Sequence, residues 1–470
     1  MGIFKKMNRK TDPTIYQNKD GHLIRSLRVK DILALGVGTI VSASIFTLPG
    51  EVAAKHAGPA VTISFLLAAL AACLVAFTYA EMSAAMPFAG SAYTWINVIF
   101  GEFWGWIAGW ALLAEYFIAL AFVGSGLSAN LRALLAPIRI QLPKYLSNAF
   151  GTNGGVVDII AVASIIIVAF LIMRGVGKAA RVENALVVLK VIAILLFVFV
   201  GATAIKSQNF IPFIPKHVVT AHGSFGGWQG IYAGVSMIFL SYIGFDSVAA
   251  NSAEAINPQK TMPRGIIGSL IIAVVLFISV SLVLVGIMPY QNYANSAEPV
   301  GLALRYIHHP VIAAVVQIIA VLGMFTALIG MSMAGSRLIY SFGRDGMLPK
   351  FLGKLDKKRR PNHAVIALTA IAVVISTIFP FSALSQLISA GTLIAFMFVS
   401  LAIYPLKKRE GKDIEDPAFK VPFYPVLPFL AFLASLIVFL GLDSQAKLYA
   451  GIWFLLGLII YFAYGIRHSE

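Results

Sequence analysis

Four places in this chain set reactive or polar groups inside otherwise apolar sequence. The first is the run Gly36-Val-Gly-Thr-Ile-Val-Ser-Ala-Ser-Ile-Phe-Thr-Leu-Pro-Gly50, which holds three glycines, a proline and the hydroxyls of Thr39, Ser42, Ser44 and Thr47. The second is Glu115, the third is Lys190, and the fourth is Ser236-Met-Ile-Phe-Leu-Ser-Tyr-Ile-Gly-Phe-Asp-Ser247. Hydrocarbon tolerates irregular backbone only where it is buried in protein or lines a cavity. A helix interrupted there leaves free amides at the start of its second half and free carbonyls at the end of its first. The amides suit a carboxylate and the carbonyls suit an ammonium or a cation. Such a site fits the two charged ends of a free amino acid. A proline-kinked helix, with serines bonded back to their own carbonyls, explains the first run alone equally well.

The second interruption changes that balance. It lies about 200 residues after the first, each begins a set of five apolar segments, and Gly244 with its hydroxyl neighbours falls mid-segment. Interrupted segments at corresponding positions of two halves point to a transporter built from inverted repeats. Glu115 sits deep in the third apolar segment, where an ionisable group faces a cavity or a partner. A structural partner and a direct substrate role both remain open for it. Lys190 stands about 12 Å inside the fifth segment at ~1.5 Å per residue. Two readings of it compete: an amine snorkelling to the interface, or a buried amine that takes up and releases a proton.

These groups must be held by long apolar helices. Hydrophobic residues make up 59% of the chain and charged residues 12%, which excludes a soluble globular domain. Hydropathy reads as twelve spans, centred near residues 42, 70, 115, 165, 195, 240, 277, 323, 372, 395, 432 and 456. With residues 1–31 placed inside as a tail rather than a signal peptide, 27 of the 36 Lys and Arg fall on cytoplasmic segments. That excess predicts both termini in the cytoplasm and assigns the net charge of +16 to topology and anionic lipid rather than to nucleic acid. The basic stretch Arg337–Arg360 reads as part of this orientation signal. In the loop from Glu254 to Arg264, Pro258 and Pro263 read as helix stops. Gly101, Gly105 and Gly109 give one bare helix face, expected to pack within the bundle. One cysteine, Cys73, leaves no intrachain disulfide and no cysteine-based zinc cluster. No His-Glu-x-x-His occurs, and the nearest approach to Gly-x-Ser-x-Gly, Gly330–Ala334, ends in alanine within a span, so an enzyme is not expected.

Over nearly its whole length the chain resembles the amino acid–polyamine–organocation superfamily, in its bacterial cationic-amino-acid-transporter-like branch. The residues that carry the resemblance are Gly38–Phe46, Glu81–Tyr93, Glu115-Tyr116, Lys190, Tyr242-Ile-Gly-Phe-Asp246, Asn257-Pro-Gln through Pro263, and Arg344-Asp-Gly-Met-Leu-Pro349. The resemblance implies an all-α membrane protein of twelve transmembrane helices, with a 5+5 inverted repeat, discontinuous helices 1 and 6, and two further helices. The divisions are a tail at 1–31, repeats at 32–205 and 206–406, a cytoplasmic loop at 407–422 and a final helix pair at 423–470. It implies an importer of amino acids in the bacterial cell membrane, coupled to protons, working by alternating access and needing no cofactor. A sensor or exchanger of the same fold is the alternative.

The substrate residues implied are Thr39, Ile40, Ser42, Ala43, Ser44, Ile45, Phe46, Ala119, Phe239, Leu240, Ser241 and Ile243. Amides near Ser44, Ile45 and Phe46 would take the carboxylate. Carbonyls near Thr39, Ile40, Phe239, Leu240 and Ile243 would take the amine. Lys190, Gly38, Thr326 and Glu115 are the implied coupling residues, with Lys190 standing where sodium-coupled relatives hold an ion. Two departures stand out. Ser42-Ala43-Ser44 replaces the usual Gly-x-Gly, which narrows the pocket or demands a different backbone. Leu240 occupies the place of a common aromatic gate residue. The apolar lining from Ile40, Leu240 and Ile243 favours neutral aliphatic or small side chains.

Overall fold

The computed structural model describes residues 6–20, 25–136, 139, 141–152, 154–220, 223–294, 296, 298–379, 381–469. Helices dominate. A short tail helix α1 (Pro13–Asp20) precedes α2 (Val29–Ile40) and α3 (Ser44–Val52), followed by α4 (Val61–Ala85), α5 (Ala92–Phe100) and α6 (Glu102–Leu135). Next come α7 (Ile159–Arg174), α8 (Val176–Ala202), α9 (Gly227–Ile238), α10 (Phe245–Ala250) and α11 (Pro258–Ile287). The chain closes with α12 (Pro299–Tyr306), α13 (Pro310–Arg344), α14 (Asn362–Ile378), α15 (Phe381–Arg409), α16 (Val426–Leu440) and α17 (Ser444–Ile460). Among the described residues the all-α expectation has one small exception, an antiparallel pairing of Val218–Thr220 with Gly223–Phe225.

Each expected span centre falls in one of these helices or, for 42 and 240, in a gap between two of them. Eight described segments are long and apolar enough to cross a membrane, and three shorter apolar helices accompany them. This is a multi-pass membrane protein. α6 and α13, at 34 and 35 residues, extend about 50 Å at ~1.5 Å per residue. They overrun the ~30 Å hydrocarbon core and carry their ends well past it. The core forms where α11 packs on α4 and α2, α13 on α6 and α8, and α15 on α6 and α16. The bare glycine face does pack within the chain: a Cβ on Gly105 would meet Asn97 of α5 at 2.7 Å, and one on Gly109 would meet Phe342 of α13 at 2.6 Å.

Two readings of the polar and basic loops need correction. Pro258 does not stop a helix; it opens α11 at the first helical position, and Pro263 lies inside the same helix. At the first helical position Pro258 loses only an amide that would lack a partner in any case. The stretch 337–360 is also more than an orientation signal. Arg337 is 3% exposed and pairs with Glu254 at 2.8 Å, while Arg344 pairs with Asp20 and Asp345. A guanidinium that leaves water needs a carboxylate beside it. Of the cations that set the expected orientation, Lys5 and the side chains of Lys19, Lys178 and Arg181 lie outside the described residues.

Candidate substrate site at two helix interruptions

The first interruption is short. α2 ends at Ile40, Val41 leaves helical geometry (φ −82, ψ 71), and α3 begins at Ser44. Val41 still donates to the Val37 carbonyl, and Ser42 turns back to the Ile40 carbonyl at 2.9 Å. The Phe46 amide is engaged by the Ala43 carbonyl at 3.1 Å. Among the described residues the amides of Ser44 and Ile45 have no hydrogen-bond acceptor. They open the nine-residue α3 with its dipole behind them. No residue from Ser42 to Ser44 has a positive φ. The serines that replace glycines are therefore held without strain, and the altered backbone accommodates them.

The second interruption follows α9. A tight turn over Phe239–Tyr242 leads to Ile243 in extended conformation and Gly244 at φ 133, a value open to glycine and strained for other residues. Asp246 accepts the Gly244 amide at 3.0 Å, closing the start of α10. The two interruptions touch. A Cβ on Gly244 would stand 3.0 Å from the Ile40 nitrogen, and the Thr39 hydroxyl donates to the Gly244 carbonyl at 3.2 Å.

Of the expected substrate residues, Ile40, Ala43, Ser44 and Ile45 are almost completely enclosed, and none is more exposed than Ser42 at 8%. Leu240 is 7% exposed, and Phe239 meets Phe396 of α15 edge-on. The Ser42 and Ser44 hydroxyls lie 3.5 Å apart. The Ser241 hydroxyl is buried and has no hydrogen-bond partner among the described residues. Phe46 lines a small cavity together with Asn130, Glu298 and Gln317. Ala119 is buried on α6, one turn after Glu115.

Lys190 is 0% exposed. Its Nζ lies 3.0 Å from the Gly38 carbonyl, 2.9 Å from the Thr326 hydroxyl and 3.4 Å from the Gly323 carbonyl. The amine thus turns inward to the end of α2 and does not snorkel. Thr326 also bonds the Gly38 carbonyl at 3.1 Å, so α2, α8 and α13 meet at one point. Glu115 belongs to a different cluster. It accepts from Thr392 of α15 and faces Asp246, which accepts from Tyr116 at 2.8 Å.

Sequence reasoning missed Gly323 and Thr392. A Cβ on Gly323 would stand 2.6 Å from Lys190 Cδ, so this glycine makes room for the lysine stem. Its signal is a glycine one helical turn before Thr326. Thr392 shows only as a hydroxyl in an apolar span.

Against known proteins, a family model described as amino acid permease matches residues 27–464. A branched-chain amino acid permease of Lactococcus lactis subsp. cremoris, BcaP, is 62% identical over 98% of this chain and 99% of its own. A methylthioribose transporter of Bacillus subtilis is 36% identical over 96% of both chains, and a branched-chain amino acid permease of that organism is 34% identical over 95% of this chain and 94% of its own. Two touching helix interruptions, an inward-turned lysine and a match over almost the whole length have one source: the chain belongs to the amino acid permease family of the amino acid–polyamine–organocation superfamily, a family of transporters and not of enzymes.

Proposed function

We propose that this protein imports branched-chain amino acids across the bacterial cell membrane by proton symport, with alternating access around the two interruptions. The observation that carries the reading is the pair of unengaged amides at Ser44 and Ile45 opposite the backbone turn at Leu240–Ile243. The amides and the positive end of α3 take the carboxylate. The carbonyls of Thr39, Ile40, Phe239, Leu240 and Ile243 take the ammonium; those already accepting one bond keep a second lone pair. Ile40, Leu240 and Ile243 then surround an aliphatic side chain. Ser241 completes the turn, Ser42 and Ala43 the wall beside α3, and Phe46 and Ala119 the outer and lateral sides.

Enclosure of every one of these residues supports alternating access, because cargo can neither enter nor leave until one side opens. Lys190 at Gly38 and Thr326 supports proton coupling, since a fixed amine can change its charge where a diffusible cation would have to leave. The architecture proposed is twelve spans, two inverted sets of five and a final pair, with both termini cytoplasmic and the bilayer as surroundings. The divisions fall at 1–31, 32–205, 206–406, 407–422 and 423–470.

Uptake into proteoliposomes tests the reading. Leucine, isoleucine and valine should concentrate under an inward proton gradient without sodium, and leucinamide should compete far less well than leucine. Methylthioribose, which lacks both an ammonium and a carboxylate, should not compete. Binding without accumulation would assign the chain to a sensor. Equal competition by leucinamide would remove the amide cradle.

A further inference from the structure

Glu298, Gly301 and Arg305 follow one another at spacings of three and four residues, which stacks them along one face of α12. Arg305 pairs with one oxygen of the Glu298 carboxylate, and the side-chain amide of Gln317 on α13 donates to the other. Gly301 leaves room for the pair: a Cβ there would stand 2.8 Å from Glu298 Oε2 and 3.3 Å from Arg305 Nη1. The side chains of Arg305 and Glu298 are 39% and 16% exposed, whereas Gln317 and Asn130 of α6 are buried. The charges therefore run inward from the surface, with the guanidinium outermost. At their inner end lies the small cavity that Phe46 lines, about 10 Å³ in volume. It has room for one water-sized group, and a primary ammonium is such a group. This cavity adjoins the candidate substrate site. α12 rests on α3, where a Cβ on Gly50 would meet Pro299 at 2.5 Å. Phe46 directly follows the unengaged amides of Ser44 and Ile45. Along α13, Gln317 stands six residues before Gly323, or about 9 Å.

We propose that Glu298, Arg305 and Gln317, with Phe46, form an entry subsite that binds the charged head of the amino acid before it reaches the amides at Ser44 and Ile45. This inference rests on the transport reading and on the topology proposed with it, which puts α12 on the outer side. Charge selects the ligand. A lone cation drawn to Glu298 would meet the Arg305 guanidinium on the same carboxylate and be repelled. A lone anion drawn to Arg305 would be repelled by Glu298. An amino acid zwitterion satisfies both groups: its ammonium enters the cavity beside Glu298, and its carboxylate takes the guanidinium. One ion pair is then exchanged for two, each a charge-assisted hydrogen bond. Gln317 carries an amide oxygen as well, a further acceptor for an ammonium, and an aromatic wall at Phe46 suits a cation. Val300, Val316 and Ala320 make the rest of the lining apolar. The Glu298–Arg305 pair lies near the surface, where such pairs contribute little to stability, so parting it for cargo is easy.

The test is leucine exchange by the full chain in proteoliposomes, with two analogues that each keep one charge. Isoamylamine is leucine without its carboxylate, and isocaproate is leucine without its ammonium. Glu298→Gln should slow exchange at low leucine about tenfold, the low end for a hydrogen bond to a charged group, and much less at saturating leucine. It should weaken inhibition by isoamylamine and spare inhibition by isocaproate; Arg305→Gln should do the reverse. Glu298→Asp keeps the carboxylate and should keep the inhibition by isoamylamine, which separates loss of the charge from loss of the fold. Equal shifts for both analogues in each variant would make the pair a tie that only closes this side. That result, parent-like exchange at low leucine in Glu298→Gln, or the same loss in Glu298→Asp as in Glu298→Gln overturns the subsite. If the parent exchanges no leucine, the transport reading falls and the subsite with it; if it does, the variants judge the subsite alone.

Discussion

Gly323→Ala isolates the geometry around Lys190 without touching the lysine. The added Cβ would stand 2.6 Å from Lys190 Cδ, 3.1 Å from Cγ and 3.3 Å from Cβ. Ordinary carbon contacts lie at about 3.5–4.0 Å, so the stem must shift by roughly 1 Å at Cδ. The amine is two bonds farther on, and its contacts to Gly38 and Thr326 stand at 3.0 and 2.9 Å. A displacement of that size carries them beyond the ~3.2 Å limit of a good N–H···O bond. Overpacking of this kind costs about 1–3 kcal/mol, which corresponds to ~5–150-fold in the state that holds the lysine in place. Replacing glycine inside a helix works in the opposite sense on stability, by about 1 kcal/mol in favour of alanine. The two effects offset in overall stability but not at the amine. Gly323→Ala is therefore expected to keep a near-parent Tm and near-parent leucine exchange. Its accumulation of leucine under an imposed pH gradient should fall at least about fivefold. Measured in proteoliposomes without sodium, parent-like accumulation by Gly323→Ala would show that the seating of Lys190 does not matter to coupling.

Lys190→Arg should also exchange leucine but fail to concentrate it in the same vesicles, because a guanidinium does not give up its proton; undiminished accumulation places the coupling group elsewhere. Leu240→Phe adds volume to an enclosed site, at about 1–3 kcal/mol, and should depress leucine and isoleucine uptake more than alanine uptake in a competition series. A uniform loss across substrates would mean a folding defect. Arg337→Leu leaves the Glu254 carboxylate buried and unpaired, a change that costs ~3–5 kcal/mol and should lower the Tm of the purified protein sharply. The double variant with Glu254→Leu should recover most of that loss, and failure to recover would mean that the guanidinium acts through other contacts.

The interruptions were legible in the sequence because both lie in single apolar runs, where Gly38, Pro49 and Gly244 stand against their neighbours. Lys190 drew attention for the same reason, as one charge among apolar residues. Its inward direction was not legible from spacing, since snorkelling and burial place the same residue in the same segment; it depends on Gly323, 133 positions away, which leaves space for the stem. The Glu115–Thr392 and Arg344–Asp20 contacts join positions 277 and 324 residues apart, and no local pattern encodes such pairs. Arg337 and Arg344 were read by charge alone as orientation signals, whereas burial decides what a cation does. Pro258 was misread because the residue that forbids a helix to continue is also well suited to begin one.

The lysine at the junction of α2, α8 and α13 has a consequence for how the protein meets its surroundings. A cation carried on the chain's own side chain is covalently tethered, so its local concentration is fixed by geometry and not by the medium. It cannot be diluted, outcompeted by potassium or exhausted when sodium is scarce. On the proposed reading, occupancy near Gly38 needs no ion from the growth environment, and the stoichiometry of that position is one in every molecule. On the proposed coupling, acidity is the property of the surrounding solution that would change the charge held there.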